Sequence, residues 1–237
     1  MPRNPAEIWH TVALSRDVEA ISGELDSLQV PTSYDTDLEI QNLAIDPSEA
    51  ARHVVRNSAE NFAVTSLELG GKSPILVFED ADLDAAANGL IAGNFGASGQ
   101  SCVAGTRGFV QRPIYEALIE RIAEKSRDLV VGDPHDPSTH LGPLCTTAQV
   151  DRIERTLAKA QSQGAKIRFG GSRPQGLSPH YFMPTLVECA GPETETLLVE
   201  MFGPVMSLLP FDTEEEAIAL ANDTEFGLGS GVFTQNV

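Results

Sequence analysis

Apolar positions follow two different spacings from about residue 60 onward, and these spacings predict alternating strands and helices. Short apolar runs typical of buried strands occupy residues 74–78, 108–111, 166–169, 205–211 and 231–234. Apolar side chains that recur at helical spacing occupy residues 83–91, 118–123, 150–160 and 217–221. This repetition indicates an α/β fold, a layered domain with a mainly parallel sheet.

Polar and glycine residues mark where the predicted helices begin and end. Residues 146–149 (TTAQ) and the pair Thr213 and Glu216 have the form of capping boxes, which begin helices. Gly164 is placed to stop the helix behind residue 160, and residues 132–134 (GDP) are placed to end the one over 118–123.

The first 45 residues differ from the rest and stay unassigned. Apolar side chains between residues 13 and 28 are spaced as in one amphipathic helix, and a polar, turn-rich stretch follows. This segment carries no chemical motif, so its function cannot be derived from the residues.

Composition excludes several function classes. The chain of 237 residues has 16 Lys and Arg against 34 Asp and Glu, a net charge of -18, which argues against a nucleic-acid partner. No apolar run reaches the length of a membrane span. Three cysteines form no disulfide framework, and the acidic N-terminus lacks the pattern of a signal or transit peptide, so a cytoplasmic location is expected.

Cys102 is the first candidate for chemistry. It lies in a glycine-rich loop of small residues, 95–107 (FGASGQSCVAGTR). A thiolate in a loop whose backbone N–H groups are exposed can attack a carbonyl carbon. The alternative is a small buried side chain that only packs, as most free cysteines do.

Glu68 is the second candidate. It lies in an apolar, strand-like run, residues 64–69, which enters Gly70 and Gly71. Its carboxylate is either on the exposed side of an edge strand or partly buried and suited to act as a general base near neutral pH. The residues alone leave both alternatives open.

Three segments in a fixed order carry a family resemblance: residues 67–74 (LELGGKSP), 99–107 (GQSCVAGTR) and 200–205 (EMFGPV). They resemble the glutamate signature, the cysteine signature and the Glu-x-Phe-Gly-Pro segment of the aldehyde dehydrogenase family. Residues 141–144 and 221–228 match further landmarks, and the likeness extends from about Ser48 to Val237. The fold implied is the layered, Rossmann-like catalytic domain of that family.

The resemblance also implies roles for particular residues. Cys102 would attack an aldehyde to form a thiohemiacetal and then a thioester, and Glu68 would activate the water that hydrolyses the thioester. Glu200, Phe202, Leu69 and Gly70 would contact NAD or NADP, with Gly70 and Gly71 in a tight turn. The product would be a carboxylic acid, the partner a small aldehyde, and a homo-oligomer is possible.

The remaining reactive side chains are expected to be structural. Cys145 and Cys189 fall where the family carries apolar or small residues, so they are interpreted as packing residues. The five histidines show no metal-ligand spacing, and no metal site is expected.

Several departures from the family pattern lead to an expectation that this chain alone is incomplete or inactive. Only 67 residues precede Glu68, too few for the usual cofactor-binding domain, and no Pro-Trp-Asn segment supplies an oxyanion asparagine. Residues 46–52 replace a glycine-containing helix start, and Ala97 replaces a frequent asparagine. Residues 46–70 are therefore interpreted as a remnant of the cofactor-binding domain and residues 71–237 as a catalytic domain that is truncated at its C-terminal, oligomerisation end.

Two other functions remain open at this point. The chain could be a non-catalytic remnant or interaction module in which Cys102 and Glu68 are inherited. It could also be a thiol esterase that uses Cys102 without a cofactor, because acyl transfer needs no hydride acceptor.

Overall fold

A computed structural model describes residues 47–59 and 65–236, and the chain divides into two compact units between Leu69 and Gly70. The helix predicted between residues 13 and 28 lies outside the described residues. In the first unit, helix α1 spans Pro47–Ala59, and its opening proline suits the first turn, where the missing N–H is not needed.

The second unit is built on one six-stranded sheet. Its strands are β1 (Pro74–Val77), β2 (Arg107–Gln111), β3 (Lys166–Phe169), β4 (Thr185–Glu188), β5 (Val205–Phe211) and β6 (Gly231–Phe233). Their order across the sheet is β3-β4-β5-β2-β1-β6. All neighbouring pairs are parallel except β3 and β4. The predicted α/β class with a mainly parallel sheet is therefore confirmed.

Helices connect the strands. They are α2 (Leu83–Phe95), α3 (Tyr115–Ser126), α4 (Thr147–Ser162), the one-turn α5 (Glu195–Leu198) and α6 (Glu214–Asn222). Short 3₁₀ segments occupy Gly96–Gly99 and Arg112–Ile114. No helix in the described ranges is long and apolar enough to cross a membrane.

The sheet is covered on both faces, because successive strand residues point to opposite sides. Val77, Val110 and Leu208 belong to a core cluster with side chains of α2 and α3, including Leu90 and Ile122. Their strand neighbours enter a second cluster with side chains of α4; this cluster includes Leu76, Phe109, Leu209, Ile153 and Leu157. The unit is a three-layer sandwich with continuous apolar strands, as expected for a parallel sheet buried on both faces.

Both predicted capping boxes are half formed. The Thr146 hydroxyl accepts a hydrogen bond from the Gln149 N–H at 3.2 Å, but the Gln149 side-chain amide donates to the Met201 carbonyl. Thr213 likewise accepts from the Glu216 N–H at 3.2 Å, whereas the Glu216 carboxylate accepts from the Asp212 N–H at 2.7 Å. The threonine caps were predicted correctly, but the reciprocal side chains bind elsewhere: Gln149 at a distant carbonyl and Glu216 at the residue before its own cap.

Of two helix ends predicted from the sequence, that of α4 is confirmed and that of α3 is not. Gly164 has a φ of 95° just beyond α4, as expected for the glycine that ends a helix. Helix α3 instead ends at Ser126, earlier than the Gly-Asp-Pro at residues 132–134 predicted.

One edge of the sheet gathers the recognised motifs. Residues 70–73, 102–106, 200–204 and 227–229 directly precede β1, β2, β5 and β6, which are neighbours in the sheet. Because these strands are parallel, the loops that enter them must meet at the amino edge. Ligands of open α/β sheets more commonly bind at the carboxyl edge, so sheet topology alone would point to the wrong side.

Candidate active site

The Cys102 loop begins with an unusual backbone. Ala97, Ser98 and Gly99 have φ angles of 51°, 56° and 74°, three successive residues in the left-handed region. Such a conformation is disfavoured for side chains other than glycine and persists only where surrounding contacts stabilise it. Cys102 follows, half-buried, in a turn closed by a hydrogen bond from the Ala104 N–H to the Ser101 carbonyl at 3.1 Å.

Three hydrogen bonds hold this loop in place. The Ser98 hydroxyl donates to the Gly142 carbonyl at 3.0 Å, and the Gln100 side-chain oxygen accepts from the Cys145 N–H at 2.9 Å. On the other side of Cys102, the buried Asn94 amide donates to the Gly105 carbonyl at 2.8 Å. The thiol is therefore carried by a loop whose two ends are both fixed.

Gly99 brings two of the motifs together. A Cβ atom on Gly99 would overlap the Gly203 carbonyl and approach the Pro204 nitrogen. The backbone of the cysteine loop therefore packs directly on the segment that carries Glu200 and Phe202. Only glycine permits both this approach and the left-handed φ.

The Gly70–Gly71 pair lies where the glutamate signature meets both Glu200 and the Cys102 loop. The Gly71 N–H donates to Glu200 Oε1 at 3.0 Å. A Cβ on Gly70 would overlap Glu200 Oε2, and a Cβ on Gly71 would overlap the Cys102 carbonyl oxygen. The chain makes no turn at residues 70 and 71, which differs from the predicted tight turn, and close approach of other groups accounts for the two glycines.

Glu200 is a half-buried carboxyl group. Burial raises its pKa, while the Gly71 hydrogen bond and the positive charges of Lys72 and Arg152 act in the opposite direction. Phe202, two residues on, has a φ of 48° and a side chain that is 38% exposed. An aromatic face and a carboxylate thus border the loop that holds Cys102.

Two buried cationic side chains, Lys72 and Arg107, follow the Gly70–Gly71 pair and the cysteine loop, and the sequence analysis did not predict a role for them. Lys72 is 1% exposed, and its Nζ has no hydrogen-bond partner within the part of the chain that the structure describes. Burial and the neighbouring Arg107 charge lower the pKa of Lys72 to about 7. The sequence signal that could have identified Lys72 is its position within the glutamate signature, residues 67–74.

Arg107 is also 1% exposed but is fully engaged. It donates to the Lys72 carbonyl at 2.7 Å and to the Leu220 and Ala221 carbonyls at 3.1 and 2.8 Å. The last two carbonyls lie at the C-terminal end of α6, where a cation is favoured by the helix dipole. Arg107, the first residue of β2, therefore ties α6 to the Lys72 loop, which leads into β1.

Glu68 and Leu69 belong to the first unit, and the residues above belong to the second. The run predicted to be strand-like is irregular over residues 65–70. The Glu68 side chain is exposed, which differs from its partly buried alternative, and its apolar neighbours Leu67 and Leu69 are 43% and 36% exposed. The roles of Glu68 and Leu69 stay predictions.

The two other cysteines have different surroundings. Cys189 is buried in the core, as predicted, and burial raises the pKa of its thiol to about 11. Cys145 is exposed, so its interpretation as a packing residue is wrong. It lies directly before the Thr146 cap, where the chain enters α4 at the surface.

Known proteins give an independent comparison. A profile described as "Aldehyde dehydrogenase family" matches residues 46–237. Among similar curated proteins, (Z)-2-((N-methylformamido)methylene)-5-hydroxybutyrolactone dehydrogenase of Acinetobacter baylyi is 46% identical over 190 residues, covering 80% of this chain and 39% of that protein. Betaine aldehyde dehydrogenase of Brucella ovis is 43% identical over 189 residues, with 78% and 39% covered.

A solved structure agrees with the fold. Betaine aldehyde dehydrogenase from Staphylococcus aureus, in complex with NAD+, superimposes with a TM-score of 0.75 at 34% identity and covers 79% of this chain and 38% of its own. The chain thus spans about two fifths of the length of the relatives that it matches. Because the family match covers far more than half of the sequence, the chain belongs to the aldehyde dehydrogenase family.

Proposed function

We propose that the protein oxidises a small aldehyde to a carboxylic acid with NAD(P)+, and that Cys102 is the nucleophile. The observation that carries this proposal is the meeting of the Cys102 loop, the Gly70–Gly71 pair and Glu200 at the amino edge of the sheet. The relatives support the reaction class, because one is named as a betaine aldehyde dehydrogenase and its Staphylococcus aureus counterpart is described with NAD+.

The residues at this edge fit a nicotinamide cofactor. Glu200 offers carboxylate oxygens, which are suited to accept hydrogen bonds from ribose hydroxyls, and Phe202 offers an exposed aromatic surface for a flat ring. Gly70 leaves room beside Glu200 Oε2 that any Cβ would fill. Leu69 is proposed as a further contact on the basis of its place in the motif. When bound, the cofactor would supply the hydride acceptor.

Cys102 would supply the covalent chemistry. Its sulfur, having lost its proton, would attack the aldehyde carbon, and the carbonyl oxygen would take up a proton to give a thiohemiacetal. Loss of that hydroxyl proton and of a hydride from the same carbon, the hydride passing to the acceptor that the bound cofactor supplies, would leave a thioester. Glu68 is proposed as the base that takes a proton from the water that hydrolyses the thioester, releasing the carboxylic acid and the thiol. Residues 46–70 are proposed to belong to a cofactor-binding domain and residues 71–237 to the catalytic domain.

The test compares the purified chain with two cysteine variants. Aldehydes, betaine aldehyde among them, are supplied with NAD+ or NADP+, and absorbance at 340 nm reports reduced cofactor. If this chain carries a complete site, reduced cofactor should form with the unmodified chain and with Cys145→Ala and should not form with Cys102→Ala; its formation would overturn the expectation that this chain alone is incomplete or inactive. Hydrolysis of p-nitrophenyl acetate that needs Cys102, without any reduced cofactor, would favour the esterase alternative, and silence in both assays would favour the remnant.

Two accompanying expectations stay predictions. Association into a homo-oligomer can be measured by light scattering coupled to size-exclusion chromatography. A cytoplasmic location follows from the cysteine content of the sequence and can be tested by fractionating cells that express the protein.

A further inference from the structure

Arg107 is a buried cation that joins three of the recognised segments. It is the last residue of the cysteine signature, and its side chain is 1% exposed. Its Nε donates to the carbonyl of Lys72, within the glutamate signature, at 2.7 Å. Its two terminal nitrogens donate to the Leu220 and Ala221 carbonyls at 3.1 and 2.8 Å, where the segment 221–228 begins. One side chain therefore links parts of the site that are far apart in the sequence.

The arrangement of these acceptors suits arginine better than lysine. A guanidinium carries several N–H donors in one plane, whereas a lysine ammonium is a single point from which all donors start. The Phe109 ring also packs against Arg107, with its centroid 5.4 Å from the guanidinium carbon. Arg107 is thus held by carbonyls of two segments and by an aromatic face.

The contact of Arg107 with Lys72 reaches the site through the backbone. Lys72 directly follows Gly71, whose N–H donates to Glu200 Oε1 at 3.0 Å. The space beside Gly71 is narrow, because a Cβ there would overlap the Cys102 carbonyl oxygen. A shift of the Lys72 backbone would therefore change how Gly71 meets Glu200.

Main-chain pairing holds the same loop less tightly at this point. The Arg107 N–H donates to the Ser73 carbonyl at 3.3 Å, just before the paired residues Pro74 and Arg107 begin the β1–β2 ladder. That bond is longer than an ordinary N–H···O bond, while the side-chain bond to Lys72 is short and charge-assisted. The side chain of Arg107 is therefore the stronger tie between β2 and the Lys72 loop.

We propose that Arg107 is a positioning residue, whose guanidinium fixes the Lys72 backbone and so keeps the Gly71 N–H aligned with Glu200. The consequence for cofactor binding rests on the proposed function, in which Glu200 receives the ribose. Arg107 acts through the backbone of the glutamate signature and touches neither substrate nor cofactor.

Loss of the guanidinium has two opposite effects on Glu200, and these distinguish positioning from charge. The Gly71 hydrogen bond lowers the pKa of Glu200, so loss of alignment raises it. Arg107 also lowers the pKa of Lys72, so its removal leaves Lys72 more fully protonated, and the Lys72 charge lowers the pKa of Glu200. Arg152 acts on Glu200 in the same direction as Lys72 and stays in every variant below. A shift of the Glu200 titration to higher pH therefore indicates positioning.

Nuclear magnetic resonance of the full chain measures this shift without any cofactor. The Glu200 carboxyl carbon reports its ionisation, and the Gly71 amide proton reports the hydrogen bond between them. In Arg107→Met, we expect the Glu200 titration to move up by roughly 0.5–1 pH unit and the Gly71 signal to lose its response to that titration. Arg107→Lys keeps the charge but cannot reach the Lys72 and α6 carbonyls together, so it should show a smaller shift in the same direction.

A matched variant controls for the loss of one positive charge. Arg112 follows the other end of β2, where it donates to Asp212 at 2.7 Å and is 57% exposed. Arg112→Met should leave both the Glu200 titration and the Gly71 signal unchanged. A Glu200 titration that stays in place or moves to lower pH in a folded Arg107→Met would overturn the proposal.

The proposal stays testable if the methionine variant does not fold. Arg107→Lys then decides, and an unmoved Glu200 titration in it would count against positioning. If neither variant folds, hydrogen exchange of the unmodified chain in low urea decides instead. The Gly71 amide should then exchange in the same opening as the Arg107 Nε proton. Exchange of Gly71 while that Arg107 proton stays protected would overturn the proposal.

A second measurement distinguishes the inference from the proposed function. Titration with NAD+ and NADP+ should show roughly tenfold weaker binding in Arg107→Met than in Arg112→Met. Equal binding would refute the positioning role even if the Glu200 titration shifts. Failure of the unmodified chain to bind either cofactor would contradict the proposed function, while the upward shift of the Glu200 titration would still support the inference.

Discussion

Replacement of Lys72 by methionine should make the fold more stable at neutral and acidic pH. The side chain is 1% exposed, and burial together with the Arg107 charge lowers its pKa from 10.5 to about 7 on folding. Each pKa unit corresponds to about 1.4 kcal/mol, so the charged lysine destabilises the fold by on the order of 5 kcal/mol. Methionine has a similar length and carries no charge, so it removes this penalty.

The sign of the pH dependence follows from proton binding. Below pH 7, both folded and unfolded chains hold the Lys72 proton, and the penalty is complete. Between about pH 7 and 10.5, the unfolded chain binds more protons than the folded one, so stability rises with pH. Integration over pH 7 to 9 gives a gain on the order of 2 kcal/mol from Lys72 alone.

Urea unfolding of the unmodified chain, Lys72→Met and Lys125→Met at several pH values measures this effect. The stability advantage of Lys72→Met over the unmodified chain should be largest at pH 6 to 7 and should shrink by on the order of 2 kcal/mol by pH 9. Lys125→Met should show no such trend, because Lys125 is on the surface of α3. An advantage that stays constant between pH 7 and 9 would refute the account of Lys72 as a buried amine of lowered pKa.

Two further predictions concern the loop and the helix that frame the site. Gly99→Ala should lower the free energy of unfolding, measured in urea titrations, by roughly 1–3 kcal/mol more than Gly176→Ala. Both glycines have a positive φ (74° and 81°), but only Gly99 faces another backbone segment. Equal losses would show that the Gly203 backbone moves to make room. Thr146→Ala should cost about 1 kcal/mol by loss of the hydrogen bond to the Gln149 N–H, whereas Thr147→Ala, one residue into α4, should cost clearly less by the same measurement.

Local signals were sufficient for most elements of the second unit. All its strands except β4 and all its helices except the one-turn α5 were predicted, because spacing of apolar side chains is a local property, and the threonine caps of α4 and α6 follow the same rule. The half-formed capping box of α4 shows how a long-range contact overrides a local signal. The Gln149 side-chain amide donates to the Met201 carbonyl, 52 positions away in the sequence, instead of to the start of its own helix.

The arrangement of the site depends on strand order, which the residues do not state. Strand β6 pairs with β1 from the opposite end of the unit, and β3 runs against its neighbour β4. The amino edge becomes a meeting place because β5, β2, β1 and β6 lie side by side. Motif recognition named Cys102 and Glu200, but the three-dimensional structure was needed to bring Gly71 between them.

Burial of single polar side chains was the least predictable feature. A lysine after two glycines is typical of an exposed turn, yet the Lys72 side chain is only 1% exposed. The reverse holds for Cys145, which is exposed although its neighbour Leu144 is part of the core. Glu68 is also exposed, and the apolar residues beside it form no strand.

The central claim is that Cys102 carries the covalent intermediate of aldehyde oxidation. The most direct test mixes the chain with an aldehyde and NAD+ or NADP+, stops the reaction with acid, and identifies the modified peptide by mass spectrometry. We predict an acyl group on the Cys102 peptide that requires both aldehyde and cofactor and that accumulates further in Glu68→Gln. Turnover with Cys102 unmodified, or with the acyl group on Cys145 instead, would contradict the account.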